Sequence, residues 1–341
     1  MAKKRRQTKI PTPAWDAPHG ALGSRVLGRG FQFYGAAVII VLIAVALGVL
    51  GYAFWQDEAE KRGRPGSTAV QVDDTKYRLD YYSARLKIFV DQQGGQSAPA
   101  AQPTTALPAL SNLLVREDLV RRFAGELDAT ASDEDIRAEI ATRLGITADD
   151  ASFDTVFEQE LTRIGLTEEQ YNEMIEAAVL ENKLREHFTA ELPETEEAIN
   201  YRQIQVETQD EADDIVVQLE DGADFGELAA ELSLDTVTKD SGGEVGWVAR
   251  GIDPNLDNLV FDLEKGDVTT VPLQTAVIVI EVVDKDEARA IEEAQKPSLA
   301  AAALEDWINE KRTALVIVDN MDPTGGDADK ISWAIARVYQ S

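Results

Sequence analysis

NYRQIQVET (200–208), DGADFGELAAELSLDT (221–236), SGGEVGW (241–247), RGIDPNLDNLVFDLEKGDVTTVPLQT (250–275) and AVIVIEVV (276–283) follow one another in one stretch of the chain. The first and last blocks read as strands, and an acidic helix follows the first. Gly242, Gly243 and Gly246 read as turn glycines, needed for backbone angles more than for contacts. The order of blocks predicts an α+β unit with flanking helices.

The chain has 341 residues, enough for two domains plus appendages. It contains no cysteine, which excludes disulfides, a thiol nucleophile and a Cys-ligated metal. His19 and His187 are its only histidines and lie far apart, which argues against a His-based metal site or a His-centred triad. No cofactor is implied. The net charge is −29, and nearly all the acid lies after residue 66. Such a body repels phosphates, so a nucleic-acid partner is not expected. The acidity reads as a solubilising surface, with attraction of basic clients as the alternative.

Residues 1–33 are basic, carrying Lys3, Lys4, Arg5, Arg6, Lys9, Arg25 and Arg29 against Asp16, and read as a cytoplasmic tail. Tyr34 to Trp55 has no charged residue. As a helix it spans roughly 33 Å, enough for a bilayer core. Phe31, Phe33 and Tyr34 at one end, with Tyr52, Phe54 and Trp55 at the other, form the expected interfacial belt. The preceding positive charges orient the N-terminus inward, so the acidic body is expected outside the cell membrane. The run is too long for a cleaved signal, and no small-x-small site follows it.

Residues 56–72 read as a juxtamembrane linker and 73–193 as an α-helical lobe. Asp74 to Val90 has helical spacing, with Tyr77, Tyr81, Leu86 and Phe89 for burial. GGQSAPAAQPTTALP (94–108) is low in complexity and reads as a flexible insertion, bounded as 92–108. Beyond it, Leu113, Leu114, Leu119, Val120 and Phe123 share one helical side. Ser132 with Asp135 opens a helix that Gly145 follows, and Thr167 with Gln170 forms a capping box. The long helix from Glu168 carries a core stripe of Tyr171, Met174, Ile175, Ala178, Leu184 and Phe188. Residues 297–341 form a C-terminal helical extension, in which Leu304, Trp307 and Ile308 are the expected anchors. A short strand follows that helix, and ISWAIARVYQS reads as a last helix.

The stretch 200–283 resembles the parvulin family of peptidyl-prolyl isomerases, here bounded as 197–286. The arrangement of residues 72–320 resembles the extracytoplasmic foldases of the SurA, PrsA and PpiD type. The resemblance implies a SurA-N-like helical lobe, a parvulin (FKBP-like) domain with about four antiparallel strands and flanking helices, and a C-terminal helix packed back on the lobe. It also implies peptidyl-prolyl isomerase and chaperone activity toward unfolded or nascent exported polypeptides. Two family histidines are missing. Gln203 stands where the first strand carries one, and Ile278 where the last strand does. The family's Cys/Asp position falls on Thr236, with Asp235 beside it. Gln203, Asp235 and Thr236 are therefore the implied catalytic groups, and Thr275 is a further polar candidate. Ile252, Leu256 and Phe261 match the family's apolar slot, with one residue fewer than usual between them. Trp247 matches an aromatic after the glycine turn. Phe261 and Trp247 read equally well as core. The alternatives are a holdase whose catalysis is lost and an envelope assembly scaffold. Homodimerisation is left open.

Overall fold

The computed structural model describes residues 64–273 and 275–339. Tyr34 to Trp55, the expected membrane span, lies outside them. Among the described residues no helix is long and apolar enough to cross a membrane.

The first elements are strands, not the linker and long helix that local spacing suggests. β1 (Thr68–Val72) and β2 (Thr75–Arg78) form an antiparallel hairpin. The turn places Asp73 at φ 54°, a left-handed conformation that Asp tolerates better than most residues. Ala69, Val70 and Val72 are fully buried, so the stretch read as linker (56–72) ends in core. The helix predicted from Asp74 begins only at Leu79, as α1 (Leu79–Gln92). Tyr77 is buried from β2 and Tyr81 from α1, and their rings stack at 5.9 Å.

The predicted flexible insertion at 92–108 is ordered. α2 (Pro103–Phe123) starts inside it, with Pro103 at the first helical position, where its fixed φ suits a helix start. Ala101, Ala106 and Leu107 are buried. Tyr82 donates to Leu107 O at 2.8 Å. Two further bonds are non-local: Gln96 Nε2 donates to Val338 O at 2.7 Å, and the Tyr339 hydroxyl donates to Ala101 O. A composition reading cannot see partners some 240 positions away, which is why it failed here.

α3 (Asp133–Leu144), α4 (Phe153–Ile164) and α5 (Glu168–Ala190) follow. Ser132–Asp135 and Thr167–Gln170 both close capping boxes, and Gly145 ends α3 in the left-handed conformation, as their sequence predicts. Tyr171, Met174, Ile175 and Leu184 are core residues of α5. α9 (Lys296–Thr313) packs on α5 and α2 and puts Leu304 and Ile308 into the same cluster. Arg116 of α2 ties the three helices, pairing with Glu181 at 3.1 Å and Glu305 at 2.5 Å. Then β7 (Ile317–Asp319) joins β1 to give the sheet order β2-β1-β7. α10 (Ala328–Tyr339) buries Ala334 and Val338 in the lobe. The C-terminal extension thus completes the lobe's core.

Between α5 and α9 the chain builds a second sheet in the order β4-β3-β6-β5, antiparallel throughout. Its strands are β3 (Thr195–Val206), β4 (Glu244–Ala249), β5 (Val268–Pro272) and β6 (Val277–Ala290). The central strands β3 and β6 run beyond the sequence-predicted blocks and pair as far as Thr195 with Ala290. That ribbon carries the chain out of α5 and back into α9. Side chains alternate across it. Ile204, Val206, Val277 and Val279 face α6 (Gln209–Glu220) and α7 (Phe225–Leu232). Ile199, Tyr201, Ile280 and Val282 share a cluster with Val260, the last residue of α8 (Pro254–Val260), and with Phe261 beyond it. The sheet therefore has two small cores, one on each face.

Candidate functional site

Gln203 sits on β3 directly opposite Ile280, on the face that holds Tyr201 and Phe261. Its backbone is clamped by Gly243, whose carbonyl accepts from Gln203 N at 2.8 Å. Gly243 has φ +81°, and a Cβ there would lie 2.5 Å from Gln203 O. Only glycine permits so close an approach. The glycine turn therefore does make a contact, beyond supplying backbone angles.

The Gln203 side chain donates from Nε2 to Asp235 Oδ2 at 2.8 Å. The assignment follows from chemistry, because an ionised carboxylate only accepts, so the amide must turn its NH₂ toward it. Asp235 also accepts from the Thr238 hydroxyl at 2.5 Å and from Val237 N at 2.9 Å. Asp235 N in turn donates to Ser233 Oγ at 3.2 Å. The Thr238 hydroxyl first, then the Gln203 amide and Val237 N–H, hold the Asp235 carboxyl below the usual carboxylate range. Asp235 is thus a fixed anion, and Gln203 is an oriented amide with its Oε1 turned from the carboxylate.

Of the implied polar residues, only Gln203 and Asp235 meet. Thr236 is exposed beside them, and it is Asp235 whose carboxylate accepts from Gln203. Thr275 is exposed in the turn between β5 and β6. Ser233 and Thr238, both buried, were not singled out from sequence. Their signal was present in the S-x-D-x-x-T spacing, where hydroxyls flank an Asp that bonds its own loop.

The apolar candidates divide. Phe261 is 3 % exposed, and Leu256 and Ile278 pack against its cluster. The Arg250 guanidinium lies 4.3 Å from the Phe261 ring centre and is held by Glu197 at 2.6 Å. Lys285 donates to Phe261 O at 2.6 Å. Ile252 is half-buried in the turn before α8. Trp247 is not brought to this cluster. On β4, Val248 faces Ile199 and the cluster, so alternation sends Trp247, opposite Asn200, to the other face. There Arg289 stacks on its ring at 4.2 Å, and Gln295 Nε2 donates to its carbonyl at 2.5 Å. Tyr201, buried beside Gln203, has its phenol pushed up to about 12 by burial and then by Asp253.

Residues 192–286 match the PPIC-type PPIASE domain family, and residues 29–185 match the SurA-like N-terminal domain family. The foldase protein PrsA of Oceanobacillus iheyensis is 30% identical over 153 residues, which cover 42% of this chain and 50% of PrsA. The foldase protein PrsA 1 of Lactobacillus johnsonii is 27% identical over 221 residues, 62% of this chain and 66% of the relative. These matches span half to two thirds of the relatives' own length. A solved structure of PrsA from Bacillus anthracis aligns with a TM-score of 0.39 at 19% identity, covering 59% of this chain and 93% of that one. Its two matched domains, a SurA-like N-terminal domain and a PPIC-type peptidyl-prolyl isomerase domain, make the chain similar to the parvulin-type, SurA/PrsA/PpiD-like foldases.

Proposed function

We propose that this chain is a membrane-anchored extracytoplasmic foldase that binds unfolded exported polypeptides and isomerises their X-Pro bonds without histidine. The observation that carries the reading is the Gln203–Asp235 pair, set at 2.8 Å on the sheet face of a PPIC-type domain. Prolyl isomerisation needs no covalent intermediate. Its barrier of about 20 kcal/mol is the loss of amide resonance on twisting. A catalyst need only bind the twisted amide better than the planar one. A neutral amide locked by a permanent carboxylate supplies donor and acceptor groups in fixed directions, at no cost of reorganisation during the twist. Leu256 and Ile278 supply apolar surface for a proline ring beside it. The uncharged run Tyr34–Trp55, preceded by basic residues, supports the anchor and the outward placement of the body.

The test is exchange NMR on short X-Pro peptides with the full chain. Acceleration that Gln203→Ala and Asp235→Ala each abolish supports the reading. A second reading, a holdase on the same fold, is favoured by one observation: Phe261, a slot residue by resemblance, is 3 % exposed and capped by Arg250. That reading expects no acceleration, with client aggregation still suppressed.

A further inference from the structure

A groove of about 460 Å³ runs between α6 and the loop that follows α7. That volume lies within the range of ligand-sized clefts. Its floor is Val206 and Ile215, both buried, and its wall is Leu232 and Leu234, which are 38 % and 50 % exposed. Leu234 is not a loose loop residue, since its backbone N donates to Gln205 O at 2.7 Å. The rim is acidic. Glu207 and Asp214 line it, and neither carboxylate has a hydrogen-bond or ion-pair partner among the described residues. Glu211 adds a third charge while capping α6 through Glu207 N and Thr208 N. No Lys or Arg stands between Glu207 and Leu232 to neutralise the rim. The groove also ends one residue from Asp235, and so from the Gln203–Asp235 pair.

We propose that this groove docks an extended client segment in which Lys or Arg alternates with Leu, Ile or Val. This rests on the foldase reading above and names the class of client segment. An extended chain puts alternate side chains on opposite sides. Its apolar set reaches Leu232 and Leu234, and its cations reach Glu207 and Asp214. Acidic segments meet uncompensated like charge and are rejected.

The test is fluorescence anisotropy of three labelled peptides of equal length, alternating Leu with Lys, Ser or Glu, on the full-length chain in a neutral detergent. The Lys peptide is expected to bind at least tenfold more tightly than the Glu peptide, and more weakly as salt is raised. The double variant E207Q/D214N is expected to weaken it about tenfold, as two exposed ion pairs would, and Leu232→Ser to weaken it comparably. The variant E168Q/E169Q, which removes acid from the helical lobe, is expected to change nothing. Equal binding of all three peptides overturns the proposal. So do unchanged affinity in the groove variants and an equal loss in the lobe variant. Sedimentation of the same variants separates a second copy: a self-association that E207Q/D214N abolishes would make another copy of this chain the occupant and overturn it. Isomerisation of a short uncharged X-Pro peptide, followed in parallel, is expected to be unaffected by the groove variants. If that activity is absent from the parent chain while the Lys peptide still binds through the groove, the catalytic reading fails and the docking site stands.

Discussion

Gln203 Nε2 and Asp235 Oδ2 lie 2.8 Å apart, joining the C-terminal part of β3 to the loop after α7 by a charge-assisted hydrogen bond. Asp235 is depressed below the ordinary carboxylate range, and Gln203 does not titrate. A carboxylate whose folded pKa is lowered contributes stability above its unfolded value, near 4, and loses it as pH falls through the folded value. Isomerase activity and the contribution of this pair to small-domain stability should therefore be flat from about pH 5 to pH 9. A rate profile on one X-Pro peptide checks this. A bell with a limb near pH 6.5 would require a titrating group at the site that Gln203 and Asp235 do not provide.

Gly243→Ala should be among the most damaging small substitutions in the domain. The new Cβ would sit 2.5 Å from Gln203 O at a φ of +81°. Strain of this kind costs roughly 1–3 kcal/mol from the backbone conformation alone, and relief of the clash must push Gln203 away from Asp235. Thermal unfolding should show the loss of stability, and the activity of the surviving folded fraction should fall too.

Phe261→Ala should destabilise the small domain by about 3–5 kcal/mol, as large-to-small changes at buried aromatics do. Phe261→Leu should cost under about 2 kcal/mol, since it leaves an apolar side chain in the cluster. Denaturant melts of both variants, read beside their activity, decide what Phe261 does. Lost activity at unchanged stability would mean that the ring serves the substrate and not the core.

Much of the fold is legible in the sequence where the cause is local. Capping boxes at Ser132 and Thr167 and the apolar stripe of α5 depend on residues within a few positions of each other. So does the strand–helix–turn–strand order of 200–283. What escapes is non-local. β1 and β2 are too short to announce themselves, and β1 gains a second partner in β7, which comes from some 250 positions away. The alanine-rich 94–108 is tied to α10 by two hydrogen bonds from residues about 240 positions away. At the candidate site, the resemblance pointed to Gln203 and the 235–236 loop, and which loop side chain bonds Gln203 depends on which atom the loop turns inward. Trp247 was misleading because strand parity, invisible in a motif match, puts it on the other face.

Deleting residues 328–341 should loosen the far end of the lobe. Gln96 loses Val338 O, and Ala101 O loses the Tyr339 hydroxyl. Hydrogen exchange should rise first in 94–108, and limited proteolysis should cut there while the second sheet stays protected. Unchanged protection of 94–108 would show that this stretch is held without α10.

The measurement that bears most directly on the account is exchange NMR of a short X-Pro peptide with the parent chain, Gln203→Ala and Asp235→Ala. The account predicts acceleration by the parent chain and loss of it in both variants, each still folded by circular dichroism. Acceleration that survives in both variants would contradict the assignment of the Gln203–Asp235 pair. No acceleration by the parent chain would contradict a working histidine-free isomerase.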